Sequence, residues 1–201
     1  MSTKITIYSC RVSASTGRPP SRRTRACTAL TRACQVGTPS TCSPVRRPAR
    51  SWSWARARAR DTLAFLRARL TVTAMDYAPN ALAELTQAAT AAGLADRLTT
   101  VAHDVRQPLP LPDGAVDAVY SHMLFNMALT TAAVEFLGRE VRRVLRPGGW
   151  HIYTVRHTGD PHYGTGIPRG DNMTEHGGFI VHFFDRPLVN RLARTVVLIT
   201  G

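Results

Sequence analysis

From Asp61 onward, short β-prone runs alternate with helix-period segments, and this alternation restricts the fold of the 201 residues more than any other feature. The predicted strands are residues 71–76, 98–104, 116–121 and 150–155, with 179–184 extended and 195–200 as a last strand. The predicted helices are a short one ending near Arg69 and capped by Asp61 or Thr62, then 79–92, 131–145 and 186–193 with Asp185 as its cap. Pro79 suits a helix start and Gly93 a helix end. Val134, Leu137, Val141, Val144 and Leu145 recur at helix spacing, and R146-P-G-G149 is expected to stop that helix and turn the chain. The expected fold class is α/β: a Rossmann-like, mostly parallel sheet flanked by helices and incomplete at both ends. Residues 157–176 are expected to be an irregular loop, of the length that binds something or moves.

In open sheets of this kind ligands sit beyond the carboxyl ends of the strands, so polar residues there carry most weight. Asp76 closes one predicted strand and can accept both hydroxyls of a ribose. Asp104 closes the next and can receive an adenine amine. Together they describe an adenosine pocket. Beyond the later strands, His122, His157 and Tyr163 are the candidate catalytic groups, with His162, His176, His182 and Glu175 nearby as further titratable residues. His162, His176 and His182 lack close helical spacing, so no metal site is predicted. His151, in mid-strand, reads as structural.

The ordered set M75-D-Y-A-P-N-A81, H103-D-V-R-Q-P-L-P-L-P-D-G-A-V-D-A-V-Y-S121 and E140-V-R-R-V-L-R-P-G-G149 resembles the class I methyltransferases that use S-adenosylmethionine. The resemblance covers roughly residues 61–199. It implies that Asp76 holds the ribose, Asp104 and Val105 hold the adenine, and Ser121 and His122 lie near the methionine part, with Tyr77 also among the cofactor-binding residues. The implied activity is methyl transfer to a small organic acceptor, with M123-L-F-N-M127 as an apolar wall. Two departures stand out. The family's Gly-rich first loop is replaced by A55-R-A-R-A-R60, and the last strands of the family's sheet are missing after Gly201. Glycines let backbone N–H groups approach a cofactor closely, and alternating arginines fill that space, so weak cofactor binding and impaired activity are expected.

Composition divides the chain at the same place. Residues 1–60 hold 13 of the 26 Lys and Arg, none of the 13 Asp and Glu, and all four cysteines; all seven histidines follow. The formal charge of +13 therefore belongs to a Pro-, Ser- and Arg-rich segment expected to be disordered, apart from a methyltransferase domain over 61–201. A nucleic-acid partner is not expected, because the charge excess vanishes outside that segment; an RNA methyltransferase would make the basic arm functional. An NAD-dependent oxidoreductase, for which an acid after the second strand is also suitable, and an inactive remnant compete with the methyltransferase reading. The cysteine spacings lack the close pairs of a zinc site. Neither a signal peptide nor a membrane span is read, so the cytoplasm is expected.

The genetic code sharpens this division. Tryptophan has one codon, so sliding the reading window one nucleotide toward the start turns Trp54 followed by Ala55 into a glycine. Carried through Ser51 to Asp61, the shift reads E-L-G-x-G-x-G for suitable codons. A glycine at position 55 would lie 21 residues before Asp76, near the spacing of nucleoside-cofactor folds. A frame disruption upstream of codon 61 is the expectation.

Overall fold

The computed structural model describes residues 4–5 and 54–195. The disorder expected before residue 54 and the last strand expected after Thr195 lie outside the described residues. The elements are β1 (Lys4–Ile5), α1 (Trp54–Arg67), β2 (Val72–Asp76), α2 (Pro79–Ala91), β3 (Leu98–Ala102), β4 (Val116–His122), α3 (Thr131–Val144), β5 (Leu145–Thr154), β6 (Ile167–Gly170), β7 (Met173–His176), β8 (Phe179–His182) and α4 (Arg186–Thr195).

The parallel pairs expected of an α/β fold are present in two separate pieces. β2 runs parallel to β3 over five consecutive pairs, Val72↔Leu98 to Asp76↔Ala102. β4 runs parallel to β5. Among the described residues no strand hydrogen-bonds β2 to β4. The edge of β2 opposite β3 carries only β1, two residues long and antiparallel, pairing Lys4 with Asp76 and Ile5 with Met75.

Side chains join the two pieces. Val72, Ala118 and Tyr120 pack with Phe65 and Leu66 of α1 and Ala89 of α2. Met75 and Val119 pack on the other face with Val134, Leu137 and Val141 of α3 and Leu188 and Leu192 of α4. Alternate residues of β4 thus face opposite helical layers, as strand geometry requires. Burying these aliphatic and aromatic side chains supplies the main folding force, about 1.5–3 kcal/mol for each large one.

α1 begins at Trp54, seven residues before the expected cap at Asp61. Alternating alanine and arginine, without proline, are strong helix formers, whereas composition alone places the boundary later. Asp61 therefore caps nothing. It lies inside the helix, 8% exposed, and its carboxylate accepts a hydrogen bond from the Tyr120 hydroxyl at 3.2 Å.

α3 agrees with its periodicity. The Thr130 side chain accepts from the Ala133 N–H at its start, and Val134, Leu137, Val141 and Val144 are buried. The R146-P-G-G149 stretch does more than stop the helix. It bulges out of β5, so that only Asp117 intervenes on β4 between the pairs Val116↔Leu145 and Ala118↔Trp150. Arg146 forms an ion pair with Asp117. A Cβ at Gly149 would lie 2.9 Å from the Arg146 carbonyl and 3.0 Å from that of Asp117, which explains the glycine.

The loop expected over 157–176 holds regular structure instead. β6, β7 and β8 form an antiparallel meander. Asp171 and Asn172, both at positive φ (52° and 55°), turn β6 into β7. Gly177 and Gly178, at 54° and 81°, turn β7 into β8. Two residues at positive φ form the tight turn whose twist matches paired strands. Asp185 caps α4 as expected, its carboxylate accepting from the Leu188 N–H at 2.7 Å.

Candidate functional site

The carboxyl ends of β2 and β3 bring together the residues expected to recognise adenosine. Asp76 is 2% exposed and accepts the Ala78 N–H at 2.9 Å, which fixes its carboxylate in the turn leading into α2. The backbone carbonyl of Asp76 accepts the His103 N–H at 3.0 Å, so the two strand ends stay in register beyond the last ladder pair. A pocket of about 250 Å³ opens here, lined by Tyr77, residues 103–106 and residues 127–129. Tyr77 is 40% exposed and offers a ring face. Val105 is buried and forms the apolar floor. His103 Nε2 is buried with no hydrogen-bond partner.

Asp104 is engaged. Its carboxylate accepts Arg106 Nε at 3.0 Å and Nη2 at 2.5 Å, and the Arg106 backbone N–H at 3.0 Å. The guanidinium beside it holds its carboxyl below the usual carboxylate range. A ligand amine reaching Asp104 therefore meets a carboxylate already paired at the surface, where such pairs contribute about 0–1 kcal/mol.

The ends of β4 and β5 form a second group. Ser121 is 1% exposed, its Oγ buried without a partner. His122 is exposed, and its Nδ1 lies 2.8 Å from Thr154 Oγ1. Met123 follows at φ 57°, a left-handed conformation uncommon for a side chain of this size. Its N–H donates to both the carbonyl and the hydroxyl oxygen of Thr154, each at 3.1 Å. β4 thus ends in a hook fastened to β5.

His157 and Tyr163 belong to the segment after β5. His157 Nδ1 accepts the Gly159 N–H at 2.9 Å, and the Tyr163 hydroxyl donates to Asn172 Oδ1 at 3.0 Å. Among the described residues no hydrogen bond joins either to His122. His162 is paired with Asp160, and Glu175 with Arg169. His182 is fully buried, its Nδ1 2.7 Å from the Leu129 carbonyl, and burial lowers its pKa. No group of three His, Cys, Asp or Glu among the described residues could hold a metal ion. No described helix is long and apolar enough to cross a membrane.

Two struts escape a reading of the sequence. Asn126, 3% exposed, donates to the His182 carbonyl at 2.6 Å and accepts the Arg156 N–H at 2.9 Å. It fastens the pocket-lining loop to the end of β5 and to the meander. Arg143 donates to the carbonyls of Leu109 and Leu111 at 2.9 and 2.8 Å and to Asp113, while Glu140 accepts the Leu109 N–H at 2.8 Å. A proline-rich segment has carbonyls but few N–H groups, and these two α3 residues satisfy residues 109–113 where the backbone does not. Charge on an otherwise amphipathic helix is the available signal for Arg143. None marks Asn126.

For S-adenosylmethionine, the residues fit the adenosine half. An exposed ring, a buried apolar residue and a carboxylate line one pocket, and the fixed, buried Asp76 adjoins Tyr77 at its edge. The methionine half lacks its glycine turn, because residues 55–60 are part of α1, whose interior N–H groups bond to the helix's own carbonyls.

Residues 57–153 match the methyltransferase domain family. No curated protein sequence matches the chain. Among solved structures, a SAM-dependent methyltransferase from Methanosarcina mazei superposes with a TM-score of 0.58 at 18% identity, covering 66% of this chain and 71% of that one. The 1,6-didemethyltoxoflavin-N1-methyltransferase of Burkholderia thailandensis, solved with bound S-adenosylhomocysteine, gives 0.51 at 23% identity over 68% of this chain and 54% of that one. The [4+2]-cyclase SpnF gives 0.53 at 21% identity over 69% and 47%. The chain thus spans about half the length of these last two. At such identities the likeness establishes the fold, which also serves a protein named for a different reaction.

Proposed function

The chain belongs to the class I S-adenosylmethionine-dependent methyltransferases, and from that premise we propose that its site is for methyl transfer to a small organic acceptor. The observation that carries this reading is the buried Asp76 carboxylate at the end of β2, beside a pocket that Tyr77, Asp104 and Val105 line. Asp76 would hold the ribose hydroxyls, Asp104 and Val105 would hold the adenine once Arg106 yields, and Tyr77 would complete the cofactor pocket. Ser121 and His122 face the methionine part and the acceptor. When bound, the cofactor supplies an electrophilic methyl group on a sulfonium. The protein's own task is to bind, orient and exclude water.

His122 is the titratable group nearest the reacting centre in this reading. His157 and Tyr163 belong to the acceptor side, on the segment that follows β5. A small acceptor is favoured over a nucleic acid because residues 61–201 carry as many acidic as basic groups. Catalysis is impaired because residues 55–60 are part of a helix where the cofactor needs open backbone N–H groups.

Titrating the full chain with S-adenosylhomocysteine, followed by amide NMR, tests the assignment. Shifts confined to Asp76, Tyr77, Asp104, Val105, Ser121, His122 and the 127–129 loop are expected, with none on adding NADH. Shifts with NADH alone would instead make the site one for a nicotinamide cofactor.

A further inference from the structure

The pocket wall formed by Met127, Ala128 and Leu129 is held from behind by one buried residue of the meander. These three residues belong to the loop between β4 and α3, which is folded on itself. The Met127 N–H donates to the Leu124 carbonyl at 2.9 Å and the Leu129 N–H to the Met127 carbonyl at 2.6 Å. His182, at the end of β8, grips this loop at both ends. Its backbone N–H donates to the Asn126 carbonyl at 2.9 Å, its own carbonyl accepts the Asn126 side-chain amide at 2.6 Å, and its ring Nδ1 lies 2.7 Å from the Leu129 carbonyl. A carbonyl oxygen can only accept, so at this distance Nδ1 carries the hydrogen. The ring is fully buried and its Nε2 has no hydrogen-bond partner among the described residues. Just beyond Leu129, Asp171 of the β6–β7 turn accepts the Thr131 N–H at 2.9 Å, so the meander also holds the start of α3.

We infer that His182 is a positioning residue for the cofactor pocket: its Nδ1–H sets where the Leu129 carbonyl sits, and with it the wall at residues 127–129, so that nucleoside affinity depends on a side chain that does not touch the nucleoside. The link to affinity rests on the methyl-transfer reading. The hydrogen bond to Leu129 does not. Packing alone does not call for this nitrogen, since the ring's neighbour is Phe184, 5.1 Å away between centroids, and a phenyl ring could take the same place. A phenyl ring cannot supply the donor, and its absence leaves the Leu129 carbonyl without this hydrogen bond. The wall would then be held only at Asn126.

Two variants of the full chain separate the donor from the packing. His182→Phe keeps a ring in place and removes the donor, whereas His182→Asn puts an amide N–H where Nδ1 stands and gives up part of the ring's volume. Without ligand, hydrogen exchange at the Leu129 amide should quicken about fivefold in His182→Phe, the worth of one hydrogen bond, and stay near wild type in His182→Asn. Titration with S-adenosylhomocysteine should show binding about fivefold weaker in His182→Phe and within about twofold of wild type in His182→Asn. Unchanged exchange in His182→Phe, or equal losses in the two variants, overturns the positioning role. So does an affinity that follows melting temperature in both variants rather than the presence of the donor. Nitrogen-15 NMR of the wild-type ring needs no variant: an Nδ1–H form is expected, and a neutral Nε2–H form overturns the hydrogen bond. Faster exchange with unchanged affinity overturns the link to the pocket. Absence of S-adenosylhomocysteine binding by the wild type overturns the methyl-transfer reading and that link together, while the exchange comparison still decides the hydrogen bond.

Discussion

On the β2 and β3 side of the site, two acids close strands held in register over five consecutive pairs, whereas on the side where a glycine turn belongs, residues 55–60 are wound into the first turns of α1. The first has the geometry its chemistry requires, a buried carboxylate fixed by a turn N–H and an apolar floor. The second has good helix-forming residues where the cofactor needs exposed amides. The difference reaches into the sheet, because among the described residues β2–β3 and β4–β5 are joined by side-chain packing and not by a shared strand. A ligand pocket can thus be half specified by well-folded neighbours while its other half follows a different local preference.

The largest effect that would sharpen this contrast is at Asp76. Asp76→Asn leaves the turn hydrogen bond from Ala78 available but removes the charge proposed to meet the ribose, and should weaken S-adenosylhomocysteine binding by about tenfold or more, as loss of a charged hydrogen bond implies. Asp104→Asn should cost less, only a few-fold, because Arg106 already occupies that carboxylate. Equal losses at the two positions would break the distinction between a fixed and a clasped acid.

Arg143→Ala comes next, and concerns the scaffold. It strips donors from the Leu109 and Leu111 carbonyls and leaves Glu140 without its guanidinium, at a cost of about 1–3 kcal/mol. Thermal denaturation should show it as a clear drop in melting temperature, with Arg143→Lys recovering only part, since one ammonium cannot replace a forked donor. An unchanged melt would mean that residues 109–113 do not need α3.

The smallest effect near neutral pH grows toward acid. Both ring nitrogens of His151 are buried without partners, and burial pushes its pKa from 6.5 down to about 3. The folded state binds this proton less readily than the unfolded chain, so the stabilising contribution is complete above 6.5 and is lost as pH falls from 6.5 toward 3. His151→Phe should flatten that part of a stability-versus-pH curve. A curve unchanged by the substitution would place the acid sensitivity elsewhere, with His182 the next group to examine.

Much of the parallel framework is legible in the sequence because it follows periodicity. The α3 stripe, β2 ending on Asp76 and the Asp185 cap lie where spacing and residue type put them, whereas β3 stops at Ala102, two residues short of the expected Asp104. The α1 boundary is misplaced when composition, not propensity, draws it, although A55-R-A-R-A-R60 is a helix by propensity alone. The β6–β8 meander is legible in principle, since D171-N172 and G177-G178 are two-residue hairpin signals, but its histidines and glycines make the segment look like a loop. The clasp of Arg106 on Asp104, the contact between Thr154 and His122 and the strut at Asn126 are not legible. Each depends on which side chains a folded backbone brings together, and no spacing in the sequence encodes that.

Isothermal titration with S-adenosylmethionine addresses the contrast most directly, using the chain as it stands and a version in which residues 51–60 are replaced by the shifted Gly-rich reading. The chain as it stands should bind weakly, short of micromolar affinity, and the replacement should tighten binding by at least about tenfold, or ~1.4 kcal/mol. Micromolar binding by the unaltered chain would contradict the account, because the adenosine half would then suffice without the glycine turn.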